Sequence, residues 1–134
     1  AQGWLQSHAP TQNLRAGYFG ASTGAGAALQ AAAREPDAVG AVVSRGGRPD
    51  LAGPYLSRVT APTLLLVGGE DGPVIGMNEE ALTKLSCPKR LMIIPGATHL
   101  FEEPGTLEQV AQAALHWFCR YLHPEPHQAK ESLQ

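Results

Sequence analysis

A serine between two glycines lies near the start of the chain, in the segment Gly20-Ala21-Ser22-Thr23-Gly24. This G-x-S-x-G pattern is typical of a nucleophile elbow, a tight turn from a strand into a helix that exposes the serine hydroxyl. A serine attacks a carbonyl group when a base removes its proton, and a histidine oriented by a carboxylate is a common base near neutral pH. Covalent catalysis by Ser22 therefore requires a histidine and an acid elsewhere in the chain.

His99 and Asp71 are the candidate base and acid. Each follows an apolar segment after a short turn that contains glycine. Glu70 is the alternative acid, because it stands beside Asp71 in the same turn. The sequence leaves two structural interpretations open, a helix-capping role for Asp71 and a loop hydrogen bond for His99.

Four apolar segments can supply the strands that position these residues. They lie at residues 15–19, 38–44, 63–67 and 89–94. Helical patterns follow them at residues 23–34, about 51–59, about 74–85 and 106–122, the last with Thr106 as its cap. Strands that alternate with helices through short connections predict a parallel sheet with right-handed crossovers. The predicted fold class is therefore α/β, with about four parallel strands and flanking helices.

The carboxyl ends of parallel strands meet at one edge of a sheet, where such folds bind their ligands. Ser22, Arg45, Asp71 and His99 each follow one of the four predicted strands. We therefore expect these four residues to converge on a single site.

Arg45 and Arg48 flank two glycines at the same predicted edge. A guanidinium group there can bind a carboxylate or phosphate on a substrate. The alternative is that these arginines form surface ion pairs with Glu70 or Asp50.

Length and composition restrict the class of protein. A chain of 134 residues fits one domain, and its net charge of −2 gives no reason to expect a nucleic-acid surface. Cys87 and Cys119 do not form a metal-ligand or disulfide pattern, so we expect free thiols and no metal. No segment is long and apolar enough to predict a membrane span, and the first residues lack a signal-peptide pattern. These features favour a soluble, cytoplasmic protein.

The predicted organisation has three parts. Residues 1–14 form an N-terminal arm, residues 15–122 the folded domain, and residues 123–134 a polar tail. The first predicted strand has only the polar arm before it and would form an unpaired edge, which tends to recruit another strand. We therefore expect a homodimer formed through residues 15–20 or through the arm.

Three segments carry a resemblance to a known family. They are Gly17–Gly24, Leu64–Asp71 and Pro95–Phe101. Together they resemble the C-terminal half of dienelactone-hydrolase-like α/β-hydrolases, including the hydrolase domain that is sometimes fused to a phosphoribosyltransferase. The likeness covers about residues 17 to 122 and implies a partial α/β-hydrolase fold. It also implies cleavage of a small ester through an acyl-enzyme, without metal or organic cofactor.

Two features depart from the family pattern. Dienelactone hydrolase itself has cysteine at the position of Ser22, so its lactone substrate is not implied. The family also has strands and helices before the elbow, which supply a second oxyanion donor, and the resemblance assigns only the backbone N–H of Thr23 to this chain. Loss of one donor costs about 100- to 1,000-fold in rate, so we do not expect full activity from an isolated chain.

Two classes of function are compatible with these features. The first is a serine hydrolase of the esterase or lactonase type, active on a small-molecule ester, which is either completed by self-association or a fragment of a larger enzyme. The second is a non-catalytic interaction domain, or an inactive fragment, that retains Ser22, Asp71 and His99.

Overall fold

The computed structural model describes residues 16–122. The predicted arm at 1–14, Arg15 and the predicted tail at 123–134 lie outside the described residues, and the expectations for them stay predictions.

The four predicted strands are present and form one sheet. They are β1 (Ala16–Ala21), β2 (Val39–Arg45), β3 (Thr63–Gly68) and β4 (Lys89–Ile94). The sheet order is β1-β2-β3-β4 and every neighbouring pair is parallel. Ala21 pairs with Arg45 and Gly68 pairs with Ile94, so the strands end along a common edge. The predicted α/β class with four parallel strands is confirmed.

The helical segments alternate with the strands. They are α1 (Thr23–Arg34), a 3₁₀ helix (Pro49–Arg58), α2 (Gly72–Lys84) and α3 (Thr106–Tyr121). Gly53 interrupts the 3₁₀ helix with a φ of 48°, directly before Pro54. Because Pro54 lacks a backbone donor, this segment is not a regular helix.

Two apolar layers cover the two faces of the sheet. In one layer, Leu29 of α1, Leu56 of the 3₁₀ helix and Ala81 of α2 pack with Val42 and Leu65. In the other layer, α3 packs against the alternate strand residues. The helix contributes Val110, Ala114 and Trp117. Because successive strand side chains point to opposite faces, β2 and β3 are buried on both sides.

The start of α3 differs from the prediction, which made Thr106 the cap. Gly105, with a φ of 83°, is the N-cap, and Thr106 is the first helical residue. The Thr106 hydroxyl instead donates to the carbonyl oxygen of Glu103 at 2.8 Å. Leu107 and Leu115 keep the helical spacing of the apolar residues in this segment, yet they are 50% and 63% exposed while Trp117 is buried. Apolar side chains occur on two sides of this helix, so its spacing alone does not identify the side that faces the sheet.

No helix within residues 16–122 is long and apolar enough to cross a lipid bilayer.

Candidate active site

Ser22 lies in the turn between β1 and α1, with φ 50° and ψ −123°. A positive φ is rare for a residue with a side chain, and it is the sharp backbone conformation that an exposed elbow serine requires. Gly20 makes this turn possible, because a Cβ at that position would lie 2.6 Å from the carbonyl oxygen of Gly24. A Cβ at Gly24 would meet no atom of the described residues within 4 Å. The first glycine of the motif is therefore required by packing, and contacts within residues 16–122 do not require the second.

Ser22, His99 and Asp71 form a continuous hydrogen-bonded chain. The Ser22 Oγ lies 2.8 Å from His99 Nε2, and His99 Nδ1 lies 2.8 Å from Asp71 Oδ2. Because an ionised carboxylate only accepts hydrogen bonds, Nδ1 carries a proton and Nε2 can accept the serine proton. The His99 side chain is 39% exposed and that of Asp71 is 13% exposed, so Asp71 is shielded from solvent while His99 is partly accessible.

The structure distinguishes between the two candidate acids. Asp71 is the N-cap residue of α2, but its side chain makes no capping hydrogen bond. Its carboxylate contacts His99 instead, while its backbone carbonyl accepts from the N–H groups of Val74 and Ile75. Glu70 is exposed, and its N–H donates to the carbonyl oxygen of Ala97. The adjacent turn residues therefore have different roles, and Asp71 is the one that orients the histidine.

The loop that carries His99 is held on both sides of that residue. The N–H and the hydroxyl of Thr98 donate to the two carboxylate oxygens of Glu103, at 3.0 and 2.7 Å. Phe101 has a φ of 55° and a buried side chain, and its N–H donates to the carbonyl oxygen of Thr98. Gly68 allows this loop to approach the end of β3, because a Cβ there would collide with the carbonyl oxygen of Ala97.

A second loop fixes the backbone of Ser22. The N–H of Ser22 donates to the carbonyl oxygen of Arg45 at 3.3 Å, and the N–H of Arg48 donates to the carbonyl oxygen of Ser22 at 3.0 Å. Asn78 of α2 supports this loop from below. Its side-chain amide donates to the carbonyl oxygen of Gly47 at 3.1 Å and to that of Val74 at 2.8 Å. The helix that begins after Asp71 therefore also supports the loop that holds Ser22.

Sequence reasoning missed Asn78. The residue is fully buried although it is polar. It lies four residues after the buried Val74 and three before the buried Ala81, so helical spacing places it on the apolar side of α2. A polar side chain at a buried helical position needs hydrogen-bond partners, and this was the signal available in the sequence.

The two arginines at this edge have different surroundings. Arg48 pairs with Asp50 through two hydrogen bonds of 3.0 and 2.9 Å, which is the alternative that the sequence left open. Hydrogen bonding from Arg48 holds the pKa of Asp50 below its ordinary value. Arg45 is the last residue of β2 rather than part of the following loop, and its guanidinium lies 5.7 Å from the ring centroid of Phe101. Its Nε is buried without a hydrogen-bond partner in the described part of the chain.

The two cysteines are not part of this hydrogen-bonded chain. Cys87 is buried and Cys119 is exposed, and both are free thiols. Burial raises the pKa of the Cys87 thiol, so that cysteine stays protonated and is a poor nucleophile. Among residues 16–122, no group of three or more His, Cys, Asp or Glu side chains is arranged to hold a metal ion.

A four-stranded parallel sheet with an elbow serine after β1, an acid after β3 and a histidine after β4 defines an α/β-hydrolase fold. The chain belongs to the dienelactone hydrolase family, whose sequence pattern it matches over residues 2–122. A crystallised dienelactone hydrolase from Anabaena variabilis is 63% identical, with a TM-score of 0.88 over 92% of this chain and 57% of that protein. The esterase domain of a Rhodothermus marinus protein, at 22% identity and a TM-score of 0.70 over 79% of this chain and 60% of that one, shares the fold.

A curated relative from Mycobacterium tuberculosis is named a putative phosphoribosyl transferase. It is 59% identical over 120 residues, which are 90% of this chain and 27% of that protein. The chain thus spans about a quarter of the curated relative and a little over half of the Anabaena enzyme. The resemblance to a hydrolase domain that is sometimes fused to a phosphoribosyltransferase is confirmed.

Proposed function

We propose that this chain carries the catalytic residues of a serine hydrolase that cleaves a small carboxylic ester or lactone. The hydrogen-bonded chain from Ser22 through His99 to Asp71 is the observation that carries this proposal. Its two distances of 2.8 Å allow proton transfer without movement of the backbone. The strained backbone of Ser22 supports the same conclusion, because strain of this kind is typical of functional sites.

The reaction begins with attack of the Ser22 hydroxyl oxygen on the ester carbonyl carbon, while His99 Nε2 accepts the hydroxyl proton. The carbonyl oxygen becomes an oxyanion. Collapse of this intermediate breaks the bond to the alcohol oxygen, which leaves with the proton from His99, and the acyl group remains on Ser22. Water then attacks the acyl-enzyme with His99 as base, which releases the carboxylic acid and restores the serine.

Two residues assist these steps. Asp71 holds the Nδ1 proton and stabilises the positive charge that His99 gains. Thr23 is the first residue of α1, so its N–H has no acceptor within the helix and lies at the positive end of the helix dipole. We assign that N–H as an oxyanion donor. We also propose that Arg45, which ends β2 at the edge of the sheet that carries Ser22, binds an anionic group of the substrate, and that Arg48 serves to hold the loop.

Fluorophosphonate labelling separates this function from the alternative of a non-catalytic interaction domain. The hydrolase predicts one label per chain on Ser22, and its loss in Ser22→Ala and His99→Ala. Ser57→Ala is the matched control, because the Ser57 hydroxyl lies in the 3₁₀ helix and contacts the carbonyl oxygen of Pro54. A folded chain that stays unlabelled would favour the interaction domain. Label found mainly on another serine would refute the assignment of Ser22.

Self-association is part of the proposal. Within residues 16–122, β1 pairs with β2 and has no strand on its other side. Phe19 of this strand is 49% exposed, and Leu115 of α3 is 63% exposed. Unpaired strand edges and exposed apolar surface are typical of interfaces, and a two-fold pair of β1 strands would cover them.

Light scattering tests this part of the proposal. Phe19→Lys should shift a dimer towards the monomer, because it places a charge at the β1 edge. Leu51→Lys should leave the dimer unchanged, because Leu51 is similarly exposed, at 46%, but lies in the 3₁₀ helix. A monomer at micromolar concentration in the unmodified chain would exclude self-association through β1.

A cytoplasmic location stays a prediction.

A further inference from the structure

A cleft of about 400 Å³ lies between α3 and the outer part of the sheet. Arg90, Met92 and Ile94 of β4 line one wall, and Leu64 of β3 lies at its base. The other wall is one side of α3. Its lining residues are Gln109, Gln112, Ala113, His116, Trp117 and Arg120. None of Ser22, Asp71 and His99 lines it, so the cleft is separate from the proposed catalytic site.

The cleft is open because of the residue types on α3. Space between a helix and a sheet is normally filled to high density by large apolar side chains. The α3 positions that face β4 are instead mostly polar or small, with Gln112, Ala113 and His116 at the middle of the wall. This leaves a volume in the range of small-molecule sites.

The base of the cleft is apolar and largely buried. Leu64 and Ile94 are almost fully buried, and Met92 is half-buried between them and the helix. Trp117 is 8% exposed, and its indole N–H donates to the carbonyl oxygen of Pro62 at 3.1 Å. This hydrogen bond fixes the ring orientation, so the base is a preformed surface for an apolar ligand group.

Positive charge is concentrated at one end of the cleft. Arg90 is the second residue of β4, and Arg120 is the second-last residue of α3. Since α3 returns antiparallel to β4, both arginines lie towards the edge of the sheet opposite Ser22. His116 is one helical turn from Arg120. No acidic residue lines the cleft, and the ion pairs within residues 16–122 involve neither arginine.

We propose that this cleft binds a small carboxylate with an aliphatic body. Arg90 and Arg120 hold the carboxylate group, and the hydrocarbon lies on Met92 and Trp117. An uncompensated pair of guanidinium groups selects an anion, and the apolar base selects against small hydrophilic anions. The site does not depend on the reaction at Ser22.

Heteronuclear NMR of the full chain tests this proposal, with hexanoate as the probe. Hexanoate should shift the signals of Gln112, His116 and the Trp117 indole with a dissociation constant of about 1 mM. Arg90→Gln and Arg120→Gln should each weaken binding about three- to fivefold, and added salt should weaken it further. Arg58→Gln is the matched control, because Arg58 is an exposed arginine of the 3₁₀ helix and should leave the affinity unchanged.

Three comparison ligands define the outcomes that would overturn the proposal. Acetate provides the charge without the apolar body, hexylammonium reverses the charge, and phenyl phosphate replaces the carboxylate. Equal binding of acetate would refute the apolar contribution, and equal binding of hexylammonium would refute recognition by the arginines. Preferred binding of phenyl phosphate would refute the choice of a carboxylate. Hexanoate shifts confined to His99 and the residues near Ser22 would place the ligand in the proposed catalytic site and refute a second site.

Discussion

The backbone N–H of Arg48 donates to the carbonyl oxygen of Ser22 at 3.0 Å, so the loop after β2 holds the strained peptide of this proposed nucleophile. Asn78 holds the same loop through the carbonyl oxygen of Gly47. The positive φ of Ser22 costs free energy, and these hydrogen bonds help to maintain it. The geometry at Ser22 therefore depends on a side chain of α2 that does not touch it.

Replacement of Asn78 should affect both stability and turnover. Asn78→Ala leaves the Gly47 carbonyl without its donor, which should lower the free energy of unfolding by about 1–3 kcal/mol. Looser support of Ser22 should reduce kcat for a chromogenic acetate ester about 10- to 100-fold while KM changes little. Urea denaturation and steady-state kinetics measure these effects. Glu79→Ala is the matched control at the next, exposed position, and an equal kcat for the two variants would contradict the positioning role.

The two adjacent carboxylates give a matched pair of variants. Asp71→Asn should lower kcat by about 10⁴-fold, because the amide favours the wrong tautomer of His99. Glu70→Gln should have little effect, because the exposed Glu70 side chain does not contact the histidine. Both variants should keep the circular dichroism spectrum of the unmodified chain. The reverse order of kcat losses would assign the role of the acid to Glu70.

The two motif glycines should also respond differently. Gly20→Ala places a Cβ 2.7 Å from the Cα of Ala25, and such overpacking should cost about 1–3 kcal/mol of stability. In Gly24→Ala the added Cβ meets no atom of the described residues within 4 Å. The free energy of unfolding of this variant should equal or exceed that of the unmodified chain, or fall below it by at most about 1 kcal/mol. Thermal denaturation of both variants measures the difference. Equal destabilisation would show that the elbow packs differently.

Glu103 should give the His99 loop a pH-dependent stability. The hydrogen bonds from Thr98 hold the pKa of Glu103 below its ordinary value of 4.5. A lowered folded-state pKa stabilises the chain above pH 4.5, and this contribution disappears as the pH falls through the folded-state value. The melting temperature of the unmodified chain should therefore fall more steeply on acidification than that of Glu103→Gln.

Glu102→Gln serves as the control for this titration, because Glu103, not Glu102, makes the hydrogen bonds to Thr98. It should keep the acid dependence of the unmodified chain. A Glu103→Gln variant with the same acid dependence would show that this carboxylate does not stabilise the loop.

The sequence by itself determined the sheet and the positions of the candidate site. The spacing and the composition of apolar residues are local properties of the sequence, so the apolar segments predicted all four strands. The predicted bounds of β4 are the same as those in the structure. The elbow is also local, because Ser22 and its glycines are adjacent in the chain. Parallel strands place their carboxyl ends together, so the meeting of Ser22, Asp71 and His99 follows from the topology of the sheet.

The tertiary structure decided which neighbouring side chain made each contact. Glu70 and Asp71 have the same chemistry and adjacent positions, and only the direction in which the turn after β3 leaves the sheet brings Asp71 to the histidine. The burial of Asn78, the unfilled cleft beside Trp117 and the exposure of Leu115 depend on the side of each helix that faces the sheet. Apolar residues on two sides of a helix leave the buried side ambiguous in the sequence. Packing across the whole domain therefore decides which side of the helix faces the sheet.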